Sequence, residues 1–191
     1  MARAAASLPS RDREPHSRGD ARGATAGARV SASSAPVFRS SETLAMTNAI
    51  QDGLILLQAD YQVLYQKIRH YHWNVRGPQF FQLHPHFEQM YLATALKTDA
   101  VAERLLALGA APLRTYASVL KIARIKEDAS LPNAQEMVRA LHTDLLAVNV
   151  HLRALAEAAR QAEDKATENL ADGYADTQEK DAWMLRAFLE A

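Results

Sequence analysis

Residues 50–75 read IQDGLILLQADYQVLYQKIRHYHWNV, and the spacing of their apolar members decides the fold. Ile50, Leu54, Leu57, Tyr61, Leu64, Ile68, Tyr71 and Val75 recur in an unbroken alternation of four and three. On a helix that alternation lays every one of them along a single stripe, the seam of a helix packed in a bundle. At a rise of 1.5 Å per residue the segment makes a helix about 40 Å long. Gly77-Pro78 ends it, because glycine permits a left-handed exit and proline cannot continue the hydrogen-bond ladder.

Outward from this segment the same grammar repeats. A second helix is expected from about Phe81 to Leu108, stopping at Gly109 with Pro112 close behind. Pro85 falls in its first turns, where a missing N–H costs little. Residues 113–126 form a short helix in a connection, carrying Leu120, Ile122 and Ile125. Asn133 and Glu136 are spaced as a capping box for the third long helix, whose seam is Val138, Leu141, Leu145, Val148, Leu152, Leu155 and Ala159. A fourth runs from about Lys165 to Leu189, with Trp183, Met184 and Phe188 near its end. No strand signal and no internal repeat interrupt the pattern. The expectation is an all-α four-helix bundle with a short helix between its second and third helices.

Composition narrows the function. The chain has no cysteine, which excludes disulfides, thiolate metal sites and cysteine nucleophiles and suits a reducing compartment such as the cytoplasm. No apolar run approaches the length of a membrane span, so no membrane partner is expected. The formal net charge is +0, yet residues 1–45 hold seven arginines against four acids, which leaves the remainder mildly acidic. On charge alone that body is not a nucleic-acid binder.

Residues 1–45 are rich in Ala, Ser, Arg and Gly and almost devoid of large apolar side chains. Such a segment cannot bury enough surface to offset its ordering entropy, so a disordered extension is expected, with the folded domain at 46–191. A DNA-contacting basic arm, a targeting peptide and sequence upstream of a start at Met46 are the three readings, of which the last is favoured. The missing apolar core of a signal peptide argues against secretion.

Two carboxylates stand out. Leu96, Asp99, Glu103 and Leu106 are spaced three, four and three apart, so all lie on one face. Acids four apart are most often a solvated face, but these share their stripe with leucines and so point toward a packed surface. There a carboxylate pair needs a cation, either a metal ion or a basic residue from another helix. His72 at the end of the first helix and His84 at the start of the second supply imidazole nitrogens. Nitrogen and oxygen donors without sulfur suit iron, zinc or manganese. His70 and His86 read as surface groups, and His142 and His151 lack a matching acid cluster. Asp99 lies fifteen residues beyond His84. That is about 22 Å along a helix. Either the two pairs serve separate purposes, or a site forms where two antiparallel subunits meet.

The stretches HWNVRGPQFFQLH (72–84), DAVAERLLALG (99–109) and EKDAWMLRAFL (179–189) closely resemble the Dps family, the mini-ferritins named as DNA-binding proteins from starved cells. The resemblance covers residues 48–191 and rests on His72, Trp73, Gly77, Phe80, His84, Asp99, Glu103 and Arg104 together. It implies a ferritin-like bundle assembled as a hollow homododecamer, with a ferroxidase centre at the twofold contact. His72 and His84 would come from one chain and Asp99 and Glu103 from its partner. Glu88 matches a further acidic ligand or water-holder, and Trp73 an aromatic beside the centre that absorbs oxidising equivalents or simply packs. The implied activity is oxidation of Fe(II), preferably by hydrogen peroxide and more slowly by oxygen, with storage of ferric mineral and protection from oxidative stress. Asp164, Glu168 and Asp172, every four residues, match the acidic iron-entry pores of the family, though a solvated face explains them equally. Pro85 stands where many relatives carry an acid. DNA binding and nucleoid association depend in the family on basic tails, and the body here has no lysine-rich start at Met46 and no basic C-terminus. The alternative is a structural, nucleoid-packing dodecamer whose metal sites are idle or filled with zinc.

Overall fold

The structure is a computed structural model that describes residues 41–190, with side chains from residue 45. The expected extension therefore lies, for residues 1–40, outside the described residues. Five helices follow in order: α1 (Ser41–Asn74), α2 (Phe80–Ala107), α3 (Tyr116–Ile122), α4 (Ala134–Gln161) and α5 (Lys165–Leu189). No strand occurs among the described residues. Helix α1 begins at Ser41, five residues ahead of Met46, so its first turn lies inside the stretch read as an extension.

The α1 seam is buried along its whole length, from Ile50 through Leu54, Leu57, Tyr61, Leu64, Ile68 and Tyr71 to Val75. The α4 seam is likewise buried from Val138 to Ala159. Helix α5 presents a different seam: Ala171, Ala175, Gln178, Ala182 and Leu185 are buried at the same spacing. Its small side chains admit a close approach by α4, whereas its large ones, Trp183 and Met184, face outward.

Cross-helix bonds fix the directions. Gln51 Nε2 donates to the Leu108 carbonyl and His72 meets His84, so α1 and α2 are antiparallel. His151 Nε2 donates to the Gly53 carbonyl and Lys67 pairs with Asp144 at 2.6 Å, so α4 also runs against α1. Arg104 near the end of α2 pairs with Asp164 at the start of α5. The long helices thus run up, down, down and up, and residues 108–133 must climb the height of the bundle between α2 and α4.

A buried acid secures that climb. Asp60 is fully buried, and its Oδ1 accepts from the backbone N–H groups of Arg124 (2.7 Å) and Ile125 (3.2 Å). Its Oδ2 accepts from Arg124 Nε (3.0 Å) and Nη2 (2.6 Å). Gln58 Oε1 takes the Leu113 N–H at 2.8 Å. Helix α3 itself is only seven residues, capped by Thr115. Val119 is its buried residue, Ala123 and Ile125 are buried just beyond its end, and Leu120 and Ile122 are exposed.

The ends behave as the sequence implies. Gly77 (φ 101°) and Gly109 (φ 76°) adopt left-handed exits after α1 and α2. Asn133 and Glu136 form the reciprocal capping box of α4. Pro85 is the sixth residue of α2, in its second turn, so the N–H it lacks is one that would have bonded within the helix.

Candidate metal centre

The turn 75–79 folds α2 back on α1 and sets His72 against His84. His72 Nδ1 donates to the His84 carbonyl at 2.8 Å, and His84 Nδ1 donates to the His72 carbonyl at 2.9 Å. A carbonyl only accepts, so each Nδ1 carries a ring proton, and in the neutral ring it is Nε2 that keeps the lone pair. This is the tautomer a metal ligand needs, held by a partner on the opposite nitrogen. The rings stack at 3.9 Å and 22°. Phe80 stacks on His84 at 4.9 Å, and Tyr91 meets His72 edge-on at 5.4 Å.

Asp99 and Glu103 are exposed on the outer face of α2, with Leu92, Leu96 and Leu106 along the same stripe. Leu92, Leu96 and Leu106 are 52%, 72% and 62% exposed on that one face, and it is their grouping, not any one leucine, that marks a contact surface. Among the described residues no three His, Asp or Glu side chains converge as a metal would require. Two donors therefore stand at one end of α2 and two along its outer face, and a single chain does not bring them together. Glu88 is exposed near His84 and accepts a long hydrogen bond, 3.4 Å, from Tyr91 Oη. Trp73 is 57% exposed beneath the Arg69 guanidinium, which lies 4.7 Å from its ring and 5.0 Å from that of Tyr65.

Among the described residues the bundle interior offers no substitute site. Ferritin-like bundles that hold two irons inside one subunit direct four glutamates and two histidines inward. Here the buried positions of the long helices are mostly apolar, the buried polar ones other than His72 are Gln58, Lys67, Thr94, Asn149, Thr167 and Gln178, and the one buried acid among the described residues, Asp60, is engaged by Arg124. Tyr61 Oη donates to Gln178 Oε1 at 2.7 Å.

The acidic stripe of α5 is paired. Asp164 caps the helix by accepting from the Thr167 N–H and takes Arg104 Nη2 at 2.6 Å. Although burial opposes it, the bonds from Arg104 and Thr167 hold its carboxyl below the usual range. Glu168 meets Lys165 at 3.0 Å, and Asp172 meets Arg153 at 3.2 Å. His70 Nε2 donates to the Ser130 carbonyl, a tie between α1 and the connection, while His86 and His142 are half-buried with no such bond among the described residues.

Arg69 and Tyr91 escaped the sequence reading. Each stands one turn from a candidate site residue, Arg69 at Trp73 minus four and Tyr91 at Glu88 plus three, and that helical spacing was the available signal.

With no interior carboxylate centre among the described residues and a carbonyl-fixed histidine pair where α1 meets α2, the helical bundle is a ferritin-like protein of the small kind. The comparisons agree. Residues 52–191 match the ferritin-like domain family. The "DNA protection during starvation protein 2" of Bacillus anthracis is 43% identical over 131 residues, covering 69% of this chain and 90% of that protein. The namesake protein of Brevibacillus brevis is 40% identical over 132 residues, covering 69% and 89%. The crystal structure of the Vibrio cholerae Dps protein, described as a member of a superfamily of ferritin-like diiron-carboxylate proteins, superposes with a TM-score of 0.74 at 36% identity, covering 76% of this chain and 91% of that one. The chain belongs to the Dps family.

Proposed function

We propose that this protein is a Dps-type ferroxidase and iron store whose reaction centre is shared between subunits. The observation that carries the reading is the reciprocal pair of imidazole–carbonyl bonds, which engages both Nδ1 atoms and leaves both Nε2 atoms without a hydrogen bond among the described residues. His72 and His84 of one subunit bind Fe(II) together with Asp99 and Glu103 of a second copy, and Glu88 adds a carboxylate or holds a water. The exposed leucines around Asp99 and Glu103 supply the apolar contact that brings the copies together. Neutral imidazole admits Fe(II), and carboxylate oxygen favours the ferric product.

Two ferrous ions each give one electron to hydrogen peroxide. Its O–O bond breaks, two protons enter, and two waters leave with no hydroxyl radical released. The ferric ions pass into a cavity enclosed by a homododecamer and are stored as mineral. Asp164, Glu168 and Asp172 stand at the entry pore, where Arg104, Lys165 and Arg153 set how much negative charge the ion meets. The setting is cytoplasmic. Among the described residues no helix is long and apolar enough to cross a membrane.

The test is anaerobic loading of the full chain with Fe(II) followed by peroxide. Ferric absorbance that rises in the parent and is lost in His72→Ala and in Asp99→Ala supports the proposal. Restoration of activity on mixing those two variants would show that the donors come from different chains. Tight zinc retention with no ferrous oxidation, together with DNA retardation in a gel, would favour the nucleoid-packing role instead.

A further inference from the structure

Two buried side-chain atoms of the bundle have no hydrogen-bond partner among the described residues: Nε2 of Gln178 on α5 and Oδ1 of Asn149 on α4. Gln178 is 1% exposed and Asn149 7%, so bulk solvent reaches neither atom. An amide atom buried and left unpaired opposes folding, and native interiors keep few of them.

Independent contacts place the two atoms in one layer. Between α4 and α5, Arg153 pairs with Asp172, Asp176 and Glu179, while His142 and Leu146 line a cavity with Glu179, Ala182, Trp183 and Arg186. Asn149 stands midway between Leu146 and Arg153 on α4, which sets it level with Gln178 to within a turn. Between α1 and α4, Gly53 meets His151 and Lys67 meets Asp144, and these two contacts bracket Asn149. Tyr61 lies inside the same bracket on α1, and its Oη donates to Gln178 Oε1 at 2.7 Å. The layer thus holds an unpaired donor and an unpaired acceptor that do not reach each other. Their seam neighbours on the same helices, Leu57, Val148, Leu152 and Ala175, are apolar and buried, a setting that suits a small neutral ligand and opposes an ion. Water is the smallest molecule that both donates and accepts.

We infer that one internal water joins Asn149 Oδ1 to Gln178 Nε2, and that the layer running from Tyr61 through Gln178 and the water to Asn149 fixes the register of α5 on α1 and α4. The water donates to the Asn149 oxygen and accepts from the Gln178 amide. The rest of the α5 seam gives such a pin its purpose. Ala171, Ala175 and Ala182 are too small to oppose sliding along α4, whereas a hydrogen-bonded layer is complete at one register only. Slid by a turn, α5 would bury the Tyr61 hydroxyl, the Gln178 amide and the Asn149 oxygen unpaired. The inference stands on the core alone and is independent of the ferroxidase reading.

The experiment uses the assembled full chain. A high-resolution crystal structure should show one ordered water within hydrogen-bond distance of both Asn149 Oδ1 and Gln178 Nε2. A direct bond between the two amides, or dry contact in that layer, overturns the inference. Gln178→Leu strands the Asn149 oxygen and the Tyr61 hydroxyl, so in denaturant titration its unfolded-to-folded ratio should rise about tenfold or more. Tyr61→Phe, Asn149→Leu and Gln178→Leu combined remove the water together with every group it serves. That triple variant should regain most of the lost stability, yet its α5 amides should exchange hydrogen about tenfold faster than the parent's while those of α1 and α4 stay unchanged. Exchange in α5 as slow as the parent's would show that the apolar seam alone sets the register, and the pin would be refuted.

Discussion

His72 and His84 make opposite demands on their two ring nitrogens, one fixed as a donor to protein and one kept free, and main-chain carbonyls meet both demands. Replacing either histidine by alanine removes a free Nε2, and anaerobic calorimetry should record ferrous affinity falling by about 100-fold or more. The residue types were legible in the sequence, because only imidazole and carboxylate stood at suitable helical positions. The tautomer was not, because it depends on two backbone strands approaching across a turn, which no spacing rule encodes. His151 illustrates the same limit. It lacks an acid cluster, and the structure gives it the Gly53 carbonyl instead. Burial, aided by repulsion from Arg124, pushes its imidazole below the usual 6.5. The unfolded chain therefore takes up this proton first, so stability should hold above about pH 6.5 and decline as pH falls below it. Thermal melts from pH 8 to 5 should show that slope, flattened in His151→Gln.

Helices α1 and α4 could be read from sequence because their seams are spelled in leucine, isoleucine and valine. The α5 seam could not, since alanines at 171, 175 and 182 carry little apolar signal, and the eye is drawn to Trp183 and Met184 on the wrong face. Close packing against α4 makes those alanines intolerant of size. Ala175→Leu should cost about 1–3 kcal/mol by denaturant titration, more than a helix-favouring leucine would cost at an exposed position. The short helix α3 was legible as a helix but not in its orientation, because its inward side is set by the Asp60 anchor and not by its own pattern. Asp60→Ala would leave the Arg124 and Ile125 N–H groups without an acceptor. A loss of about 2–3 kcal/mol is expected, with faster hydrogen exchange concentrated in residues 113–126. Uniform loss of protection across α1 and α4 would contradict that placement.

For the molecule as a unit, the distance between His84 and Asp99 is the informative quantity, and it was legible from counting alone. The paired state of the α5 acids was not, since Arg104 and Arg153 arrive from other helices. If subunits meet along the α2 stripe, burying Leu96 would contribute about 1.5–3 kcal/mol per copy, and Leu96→Glu would replace that gain with repulsion beside Asp99 and Glu103. Native mass spectrometry should show this variant as smaller species, with iron oxidation lost although His72 and His84 are intact. The up, down, down, up course has a separate consequence for engineering. Most domains bring their termini close together, which is why they accept circular permutation. Here α1 starts at one pole of the bundle and α5 finishes at the other. A gene permuted by joining the end of α5 directly to Ser41 would need a bridging peptide of roughly a dozen residues to span about 40 Å.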